Sequence, residues 1–87
     1  MTKSFSDKGW DDYIWWEEHD SRGLKRVKTL LKDIDRNGYE GIGKPEALTG
    51  DLSGYWSRRI DEKNRLVYKI VDNKIEIVQC LGHYSDK

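Results

Sequence analysis

The sequence predicts an α+β fold in which an N-terminal helical hairpin packs against an antiparallel β-sheet. Apolar residues recur at helical spacing in two segments between residues 7 and 37. Three strand-like runs follow at residues 55–60, 65–71 and 75–81, joined by short polar turns. Because 87 residues are too few for two independent cores, we expect one domain spanning residues 1–87.

The first predicted helix begins after residues 2–6, a short β-compatible segment, with Ser6 or Asp7 as its N-cap. Three large apolar residues at i, i+3, i+4 spacing form its stripe: Trp10, Tyr13 and Ile14. We expect this stripe to pack into the core. Trp15 points away from the stripe, which predicts a position at the surface or at an interface.

The second predicted helix begins after Asp20 or Ser21 and ends at Asn37-Gly38, where glycine suits a left-handed backbone conformation. Its apolar stripe has five members: Leu24, Val27, Leu30, Leu31 and Ile34. Lysines and arginines occupy the other faces. The short connection between the two helices predicts an antiparallel hairpin.

Residues 38–54 contain five of the eight glycines and therefore predict a loop. Pro45 lies near its middle, and we expect a short helical turn at 45–48. A long loop in so small a domain is often functional.

Alternation along a strand separates its side chains into two faces. In the first of the three predicted strands, one face carries Trp56, Arg58 and Ile60. The other face carries Tyr55, Ser57 and Arg59.

The charges are balanced overall but segregated along the chain. Lys and Arg number 16, as do Asp and Glu, which argues against a whole-molecule electrostatic grip on nucleic acid. Residues 7–20 nevertheless hold six acids against one base, and residues 21–37 hold six bases against two acids. Two solvated helix faces that attract each other are the more general explanation. A basic face for a polyanion is the alternative.

Composition excludes several classes of site and location. The single cysteine, Cys80, cannot form an internal disulfide, and its apolar surroundings predict a buried thiol. Two histidines and one cysteine give no metal-ligand spacing, and no phosphate-binding glycine motif is present, so we expect no metal and no cofactor. No apolar run is long enough for a signal peptide or a membrane span. We therefore expect a soluble cytoplasmic protein.

The stretch from residue 44 to 68 combines groups suited to RNA chemistry. Arginine presents a fixed fork of donors that matches phosphate, and aromatic faces stack on bases. Glu46 could act as a base, and His83 follows the last strand. Each residue also has a structural explanation when taken singly. Asp61 or Glu62 could pair with a neighbouring strand arginine, Glu46 could favour a helix start, and a terminal histidine is usually just exposed.

A family resemblance favours the RNA-chemistry interpretation of these residues over the structural explanations. The run GKPEALTGDLSGYWSRRIDEKNRLVY, from Gly43 to Tyr68, closely resembles the YoeB toxins of the RelE superfamily. The opening WDDYIWW, the segment LLKDIDRNGYEGIGKPE and the pair His83-Tyr84 also match, so the resemblance covers almost the whole chain. It implies a RelE-like fold and a ribosome-dependent endoribonuclease that cuts messenger RNA in the ribosomal A site. The implied partners are a YefM-like antitoxin and a second copy of the chain, with operator DNA bound only through the antitoxin complex.

The resemblance also implies roles for individual residues. Glu46 would be the general base on the ribose 2′-OH, His83 the general acid on the leaving 5′-oxygen, and Arg65 the stabiliser of charge on the phosphate. RNA-binding roles would fall on Lys44, Arg59 and Tyr84. The chain departs from relatives that end at the His-Tyr pair, because residues 85–87 follow and add an acid. It also has Ile42 and Thr49 where some relatives carry lysine.

Two alternatives stay open beside this interpretation. One is a catalytically inactive RelE-fold binding or autoregulatory subunit, and the other is a nuclease that works without the ribosome. A member that had lost catalysis would be expected to lack at least one of Glu46, Arg65 and His83. Their joint presence therefore favours the ribosome-dependent nuclease.

Overall fold

The computed structural model describes residues 1–82, which form two helices and five strands. In chain order these are β1 (Thr2–Phe5), α1 (Asp7–His19), α2 (Ser21–Asn37), β2 (Glu46–Ala47), β3 (Trp56–Arg59), β4 (Arg65–Val71) and β5 (Lys74–Gln79). A 3₁₀ turn at Gly50–Leu52 lies between β2 and β3. All five strands join one sheet in the order β1-β5-β4-β3-β2, so β1 and β2 are its two edges.

The sheet is mixed rather than wholly antiparallel. Strands β2 to β5 pair antiparallel, but β1 lies parallel to β5, with Thr2 opposite Lys74 and Phe5 opposite Ile77. The sequence prediction of an antiparallel sheet is therefore wrong at this edge. The physical reason is that a parallel pair needs a long crossover, which the intervening chain, including both helices, provides. Local pattern reveals a strand at residues 2–5 but not its distant partner.

Both helices begin where their capping residues predict, and α2 ends at the predicted Asn37-Gly38. The Ser6 hydroxyl accepts a hydrogen bond from the Gly9 N–H at 3.0 Å and caps α1. The Asp20 carboxylate accepts from the Gly23 N–H at 2.9 Å and caps α2. Gly38 ends α2 with a φ of 66°, a conformation that L side chains rarely adopt.

The core lies between the helices and one face of the sheet. The predicted stripe of α2 is confirmed: Val27, Leu30 and Ile34 are fully buried, Leu31 is nearly so and Leu24 packs at the margin. The sheet and the segment after it contribute Leu66, Tyr68, Ile75, Ile77 and Cys80. Cys80 is buried as predicted, and burial, with the negative charge of Asp12 adding to it, raises the pKa of its thiol to about 12.

The predicted burial of Trp10 is wrong, because α1 presents a different face to the sheet. Trp10 is 51% exposed, whereas Trp16 is 1% exposed and donates from Nε1 to the Cys80 carbonyl at 2.6 Å. Gly9 lies on the inward face, where a Cβ would sit 2.6 Å from the Ile77 carbonyl oxygen. The helix thus approaches the sheet through its smallest residue, and Trp10 stacks on Tyr13 at the surface instead.

The helical turn expected at 45–48 is also wrong. Glu46 and Ala47 form β2, which pairs with β3. Backbone hydrogen bonds extend this pairing on both sides, from the Leu48 N–H to the Tyr55 carbonyl at 2.9 Å and from the Arg59 N–H to the Gly43 carbonyl at 2.7 Å. Pairing with β3 therefore overrides the local helix-start signal of Pro45.

Candidate active site

The strand register places three predicted site residues on one face of the sheet. Glu46 lies opposite Ser57 on β3, and Arg59 lies opposite Arg65 on β4. Because residues two apart on a strand share a face, Glu46, Arg59 and Arg65 all belong to the face turned away from the helices. Glu46 and Arg59 are exposed, and Arg65 is half-buried. The fold thus brings an acid and two cations to one surface from three different strands.

The loop at residues 61–64 holds Arg65 through its backbone. The Arg65 Nη1 atom donates to the carbonyl oxygens of Asp61, Glu62 and Asn64 at 2.8, 3.2 and 3.3 Å. These bonds replace the expected ion pair with the Asp61 or Glu62 carboxylate. Within residues 1–82, Nε and Nη2 of Arg65 make no hydrogen bond, so two adjacent donors of the fork are available to an anion.

The same loop is stabilised by the carboxylate of Asp61. This carboxylate accepts from the backbone N–H groups of Lys63 at 2.9 Å and Asn64 at 2.7 Å, and from the Asn64 side-chain amide at 3.1 Å. Burial opposes ionisation of Asp61, but these hydrogen bonds outweigh it and leave its pKa below the ordinary value. The carboxylate therefore stays charged and keeps the loop closed beside Arg65.

The segment before the chain end is tied to this loop. The Gly82 N–H donates to Oδ1 of Asn64 at 2.7 Å, and the Arg65 N–H donates to the Gly82 carbonyl at 3.1 Å. Gly82 is followed in the sequence by His83 and Tyr84, the predicted general acid and the predicted RNA-orienting residue. Both lie outside the described residues, so their placement stays a prediction.

Lys44 and Glu46 lie at the end of a loop with an unusual backbone path. Gly43 has a φ of 81° and Lys44 a φ of 51°, and a Cβ on Gly43 would come within 2.8 Å of Leu30. The Gly43 carbonyl accepts from Arg59 in β3. This path delivers an exposed Lys44 and then Glu46 to the edge of the sheet.

Sequence reasoning gave no role to Arg58, which is the most completely buried charged residue described. Its side chain is 0% exposed, and the guanidinium donates to five groups: the Asp33 carboxylate, the carbonyls of Gly38, Glu40 and Ile42, and the Tyr68 hydroxyl. We call this set the Arg58 clamp. The sequence did contain an indication that Arg58 is buried, because strand alternation places it on the same face as Trp56 and Ile60. A charged residue on a core face needs a built polar site.

The Arg58 clamp fixes the loop that leads to Lys44 and Glu46. Three of its acceptors are carbonyls within residues 38–42, and Asp33 reaches the same loop by accepting from the Ile42 N–H at 3.1 Å. The hydrogen bond from Arg58 is the main cause that holds the pKa of Asp33 below its ordinary value of 3.8. The core side of β3 thus secures the loop, while the other side presents Arg59.

The basic residues of α2 lie on the surface. Arg22, Lys25, Lys28, Lys32 and Arg36 are exposed, and no ion pair within residues 1–82 joins α1 to α2. The predicted attraction between an acidic and a basic helix face therefore has no direct contact to support it. A row of cations remains on the outer face of the hairpin.

Two further properties concern residues 1–82 as a whole. They contain no group of three or more His, Cys, Asp and Glu residues positioned to hold a metal ion. Neither helix has the length and apolar character needed to cross a bilayer.

Comparison with known proteins identifies the family. A family model described as the YoeB-like toxin of bacterial type II toxin-antitoxin systems matches residues 5–84. Toxin YoeB of Streptomyces coelicolor is 52% identical over 84 residues, which cover 97% of this chain and 100% of the relative. Toxin YoeB of Escherichia coli K12 is 49% identical over 84 residues, with the same coverage of both chains.

Solved structures agree in fold. A YoeB/ParE toxin from Agrobacterium tumefaciens superposes with a TM-score of 0.93 at 38% identity, covering 97% of this chain and 100% of that one. The toxin in a heterotetrameric YoeB-YefM complex from Staphylococcus aureus gives a TM-score of 0.90 at 47% identity, covering 97% and 98%. A YoeB dimer from the same organism matches equally well. The α+β prediction is thereby confirmed, and the chain belongs to the YoeB-like toxins of bacterial type II toxin–antitoxin systems.

Proposed function

We propose that this toxin is a ribosome-dependent endoribonuclease that cuts messenger RNA in the ribosomal A site. The observation that carries the proposal is the strand register, which gathers Glu46, Arg59 and Arg65 on one exposed face. Membership of the YoeB-like family adds support. An acid and paired cations on one surface suit a reaction that removes a proton and gathers negative charge on phosphate.

The proposed reaction is an internal transfer at one phosphodiester. The Glu46 carboxylate takes the proton of the ribose 2′-OH, and the 2′-oxygen forms a bond to phosphorus. The bond from phosphorus to the 5′-oxygen breaks, and His83 gives its proton to that oxygen. The products are a 2′,3′-cyclic phosphate and a 5′-hydroxyl, so the step needs no metal, cofactor or water.

Arg65 would stabilise the transition state of this reaction. Its Nη1 atom is occupied by loop carbonyls, which orients the guanidinium, and its Nε and Nη2 atoms form no hydrogen bond within residues 1–82. A planar fork with two adjacent donors matches two phosphate oxygens. Arg59, its neighbour across the β3–β4 pair, would add positive charge, and Lys44 and Tyr84 would contact the RNA.

The ribosome would complete the site. Glu46 lies on a two-residue strand at the sheet edge, whereas His83 follows Gly82 beyond β5, so base and acid come from separate segments. Docking on a large polyanion would fix their separation, as substrate-driven closure assembles other sites. The exposed cations of α2 provide a surface for such docking.

For partners, we infer a YefM-like antitoxin and a homodimer. The Staphylococcus aureus relatives are a YoeB-YefM complex and a YoeB dimer. Trp10 and Trp15, at 51% and 38% exposure, offer large apolar surface to such partners. Operator DNA would be bound only through the antitoxin complex.

Programmed bacterial ribosomes carrying a defined message test the proposal. The wild-type toxin should cut the A-site codon and leave a 2′,3′-cyclic phosphate, and naked RNA should be cut far more slowly. Glu46→Gln keeps the shape but cannot take a proton, so its rate should fall by about 10²–10⁴-fold. Glu17→Gln is the matched control, because it neutralises an exposed carboxylate on α1, away from the sheet face.

Further variants separate the roles. Arg65→Lys keeps the charge but loses the fork, so partial activity is expected. His83→Gln should be slow on the natural message and regain rate on a message with a bridging 5′-sulfur, because a thiolate leaves without a proton. Equal cleavage of naked and ribosome-bound RNA would overturn the ribosome requirement. No cleavage by the folded wild type would favour an inactive binding or autoregulatory subunit instead.

A further inference from the structure

Asn64 connects the loop at 61–64 with the segment before the chain end. Its side-chain amide nitrogen donates to both oxygens of the Asp61 carboxylate at 3.1 Å. Its side-chain oxygen accepts from the Gly82 N–H at 2.7 Å. Its backbone carbonyl accepts from the Ile60 N–H at 3.0 Å and from Arg65 Nη1 at 3.3 Å. One residue therefore touches Ile60 directly after β3, the Arg65 guanidinium and Gly82.

Gly82 is held at both of its backbone groups. Asn64 binds its N–H, and the Arg65 N–H binds its carbonyl at 3.1 Å. Gly82 has a φ of 86°, and among residues 1–82 a Cβ there would meet no atom within 4 Å outside its chain neighbours. Glycine is thus needed for its backbone conformation rather than for space. Because the peptide unit is planar and successive Cα atoms are about 3.8 Å apart, fixing Gly82 limits where residue 83 can begin.

We propose that Asn64 is a positioning residue that holds Gly82 in a fixed relation to Arg65, and so sets the general acid against the phosphate-binding arginine. The inference rests on the proposed function and deepens it. It assigns no contact between Asn64 and RNA. The effect runs through the loop and the Gly82 backbone.

The chemistry of the amide explains why asparagine suits this position. A side-chain amide offers both a donor for the ionised Asp61 and an acceptor for the Gly82 N–H. Aspartate at this position would keep the acceptor but could not donate to Asp61. Alanine would lose both bonds while leaving the Asn64 backbone carbonyl, and hence one Arg65 contact, in place.

The test compares two messages on programmed ribosomes. One has the natural 5′-oxygen at the scissile phosphate, and the other has a bridging 5′-sulfur, which leaves without a general acid. The variants are Asn64→Ala, Asn64→Ser and Asn64→Asp, with His83→Gln measured beside them. Asn73→Gly is the control, because it changes an exposed asparagine with a φ of 60° at the other end of β4 without altering charge.

The expected result is a selective loss on the oxygen message. Misplacement of a reacting group by about 1 Å can cost about 10²-fold, so we expect a loss of this order for Asn64→Ala and little loss on the sulfur message. The sulfur-to-oxygen rate ratio should rise, while the ribosome concentration for half-maximal rate stays unchanged. Asn64→Asp keeps the Gly82 acceptor but sets a second carboxylate against the ionised Asp61, so its ratio should also rise. Asn73→Gly should match the wild type.

Thermal unfolding of each variant shows whether it is folded at the assay temperature. If Asn64→Ala is unfolded, Asn64→Ser provides the same comparison, because serine is accepted in turns and its hydroxyl is too short to reach Gly82. An unchanged rate, or an equal loss on both messages in a folded variant, would overturn the inference. If His83→Gln gains nothing from sulfur, the assignment of the general acid fails. If the sulfur message restores the rate of His83→Gln but not that of Asn64→Ala, the positioning role of Asn64 is refuted while the general-acid role of His83 stands.

Discussion

Replacing Arg58 by alanine should destabilise the protein strongly. The side chain is 0% exposed and donates to the carbonyls of Gly38, Glu40 and Ile42 at 2.8, 2.6 and 3.1 Å, besides the Asp33 carboxylate and the Tyr68 hydroxyl. Alanine would leave the acceptors of the Arg58 clamp without a donor and open a space that the arginine filled. The loop at 38–42 would lose its attachment to the sheet.

The expected loss follows from the complete burial of Arg58, whose ion-pair partner Asp33 is 17% exposed. Removing one partner of a buried ion pair typically costs about 3–5 kcal/mol. For a domain of this size each kcal/mol shifts the unfolding midpoint by about 4–8 °C, so the midpoint should fall by about 12–40 °C. Since small domains are stable by only about 5–15 kcal/mol in total, the variant should be near the limit of folding.

Thermal and urea unfolding, followed by circular dichroism, measure this loss. Arg59→Ala is the matched control, because it removes the adjacent arginine from the exposed face of the same strand and should change stability by less than about 0.5 kcal/mol. Arg58→Lys should recover little, since one ammonium cannot reach acceptors spread around a planar fork. If the two alanine variants unfold at the same urea concentration, the clamp contributes nothing and the reasoning fails.

Three other predictions follow from described contacts. Gly23→Ala should destabilise α2 despite the better helix propensity of alanine, because a Cβ would lie 1.9 Å from the Trp16 ring; a higher unfolding midpoint would contradict this. With its thiol pKa raised to about 12, Cys80 should resist iodoacetamide at pH 8 in the folded protein and react after unfolding, as mass spectrometry would show. Because the pKa of Asp33 is lowered in the folded protein, its ionised carboxylate stabilises the fold above pH 3.8, and this stability is lost as the pH falls through the folded pKa. The free energies of unfolding of wild type and Asp33→Asn, measured by urea titration, should therefore converge in acid. A difference in unfolding free energy that stays constant with pH would contradict the lowered pKa.

The parts of the fold that sequence predicted are those determined locally. The starts of both helices and the end of α2 follow from Ser6, Asp20 and Gly38, whose effects act within one turn. The stripe of α2 and the three later strands follow from periodicity. The prediction for Trp10 was wrong because helical spacing shows which residues share a face but not which face of the helix is turned toward the sheet. The close approach of Gly9 to β5 decides which face that is.

The candidate site was predictable in its chemistry but not in its assembly. Arg65 and Glu46 could be selected as residue types, yet only the β2–β3–β4 register places them on one face. The role of Asn64 could not be read from the sequence, because its partner Gly82 lies 18 residues away and is reached only when β4 and β5 pair. His83 could be noted as a residue type after the last strand, but its role and that of Tyr84 came from the resemblance.

The pairing of β1 with β5 has a consequence for synthesis of the chain. Among the described residues β1 pairs only with residues 74–77 of β5, and α1 is anchored to Cys80 across 64 residues by Trp16 and across 68 by Asp12. A growing chain therefore cannot close its core until the final strand has left the ribosome, and such distant contacts form slowly. A message cut or stalled before codon 74 yields a product that we expect not to fold. We therefore expect the folded toxin only after residues 74–80 have been synthesised.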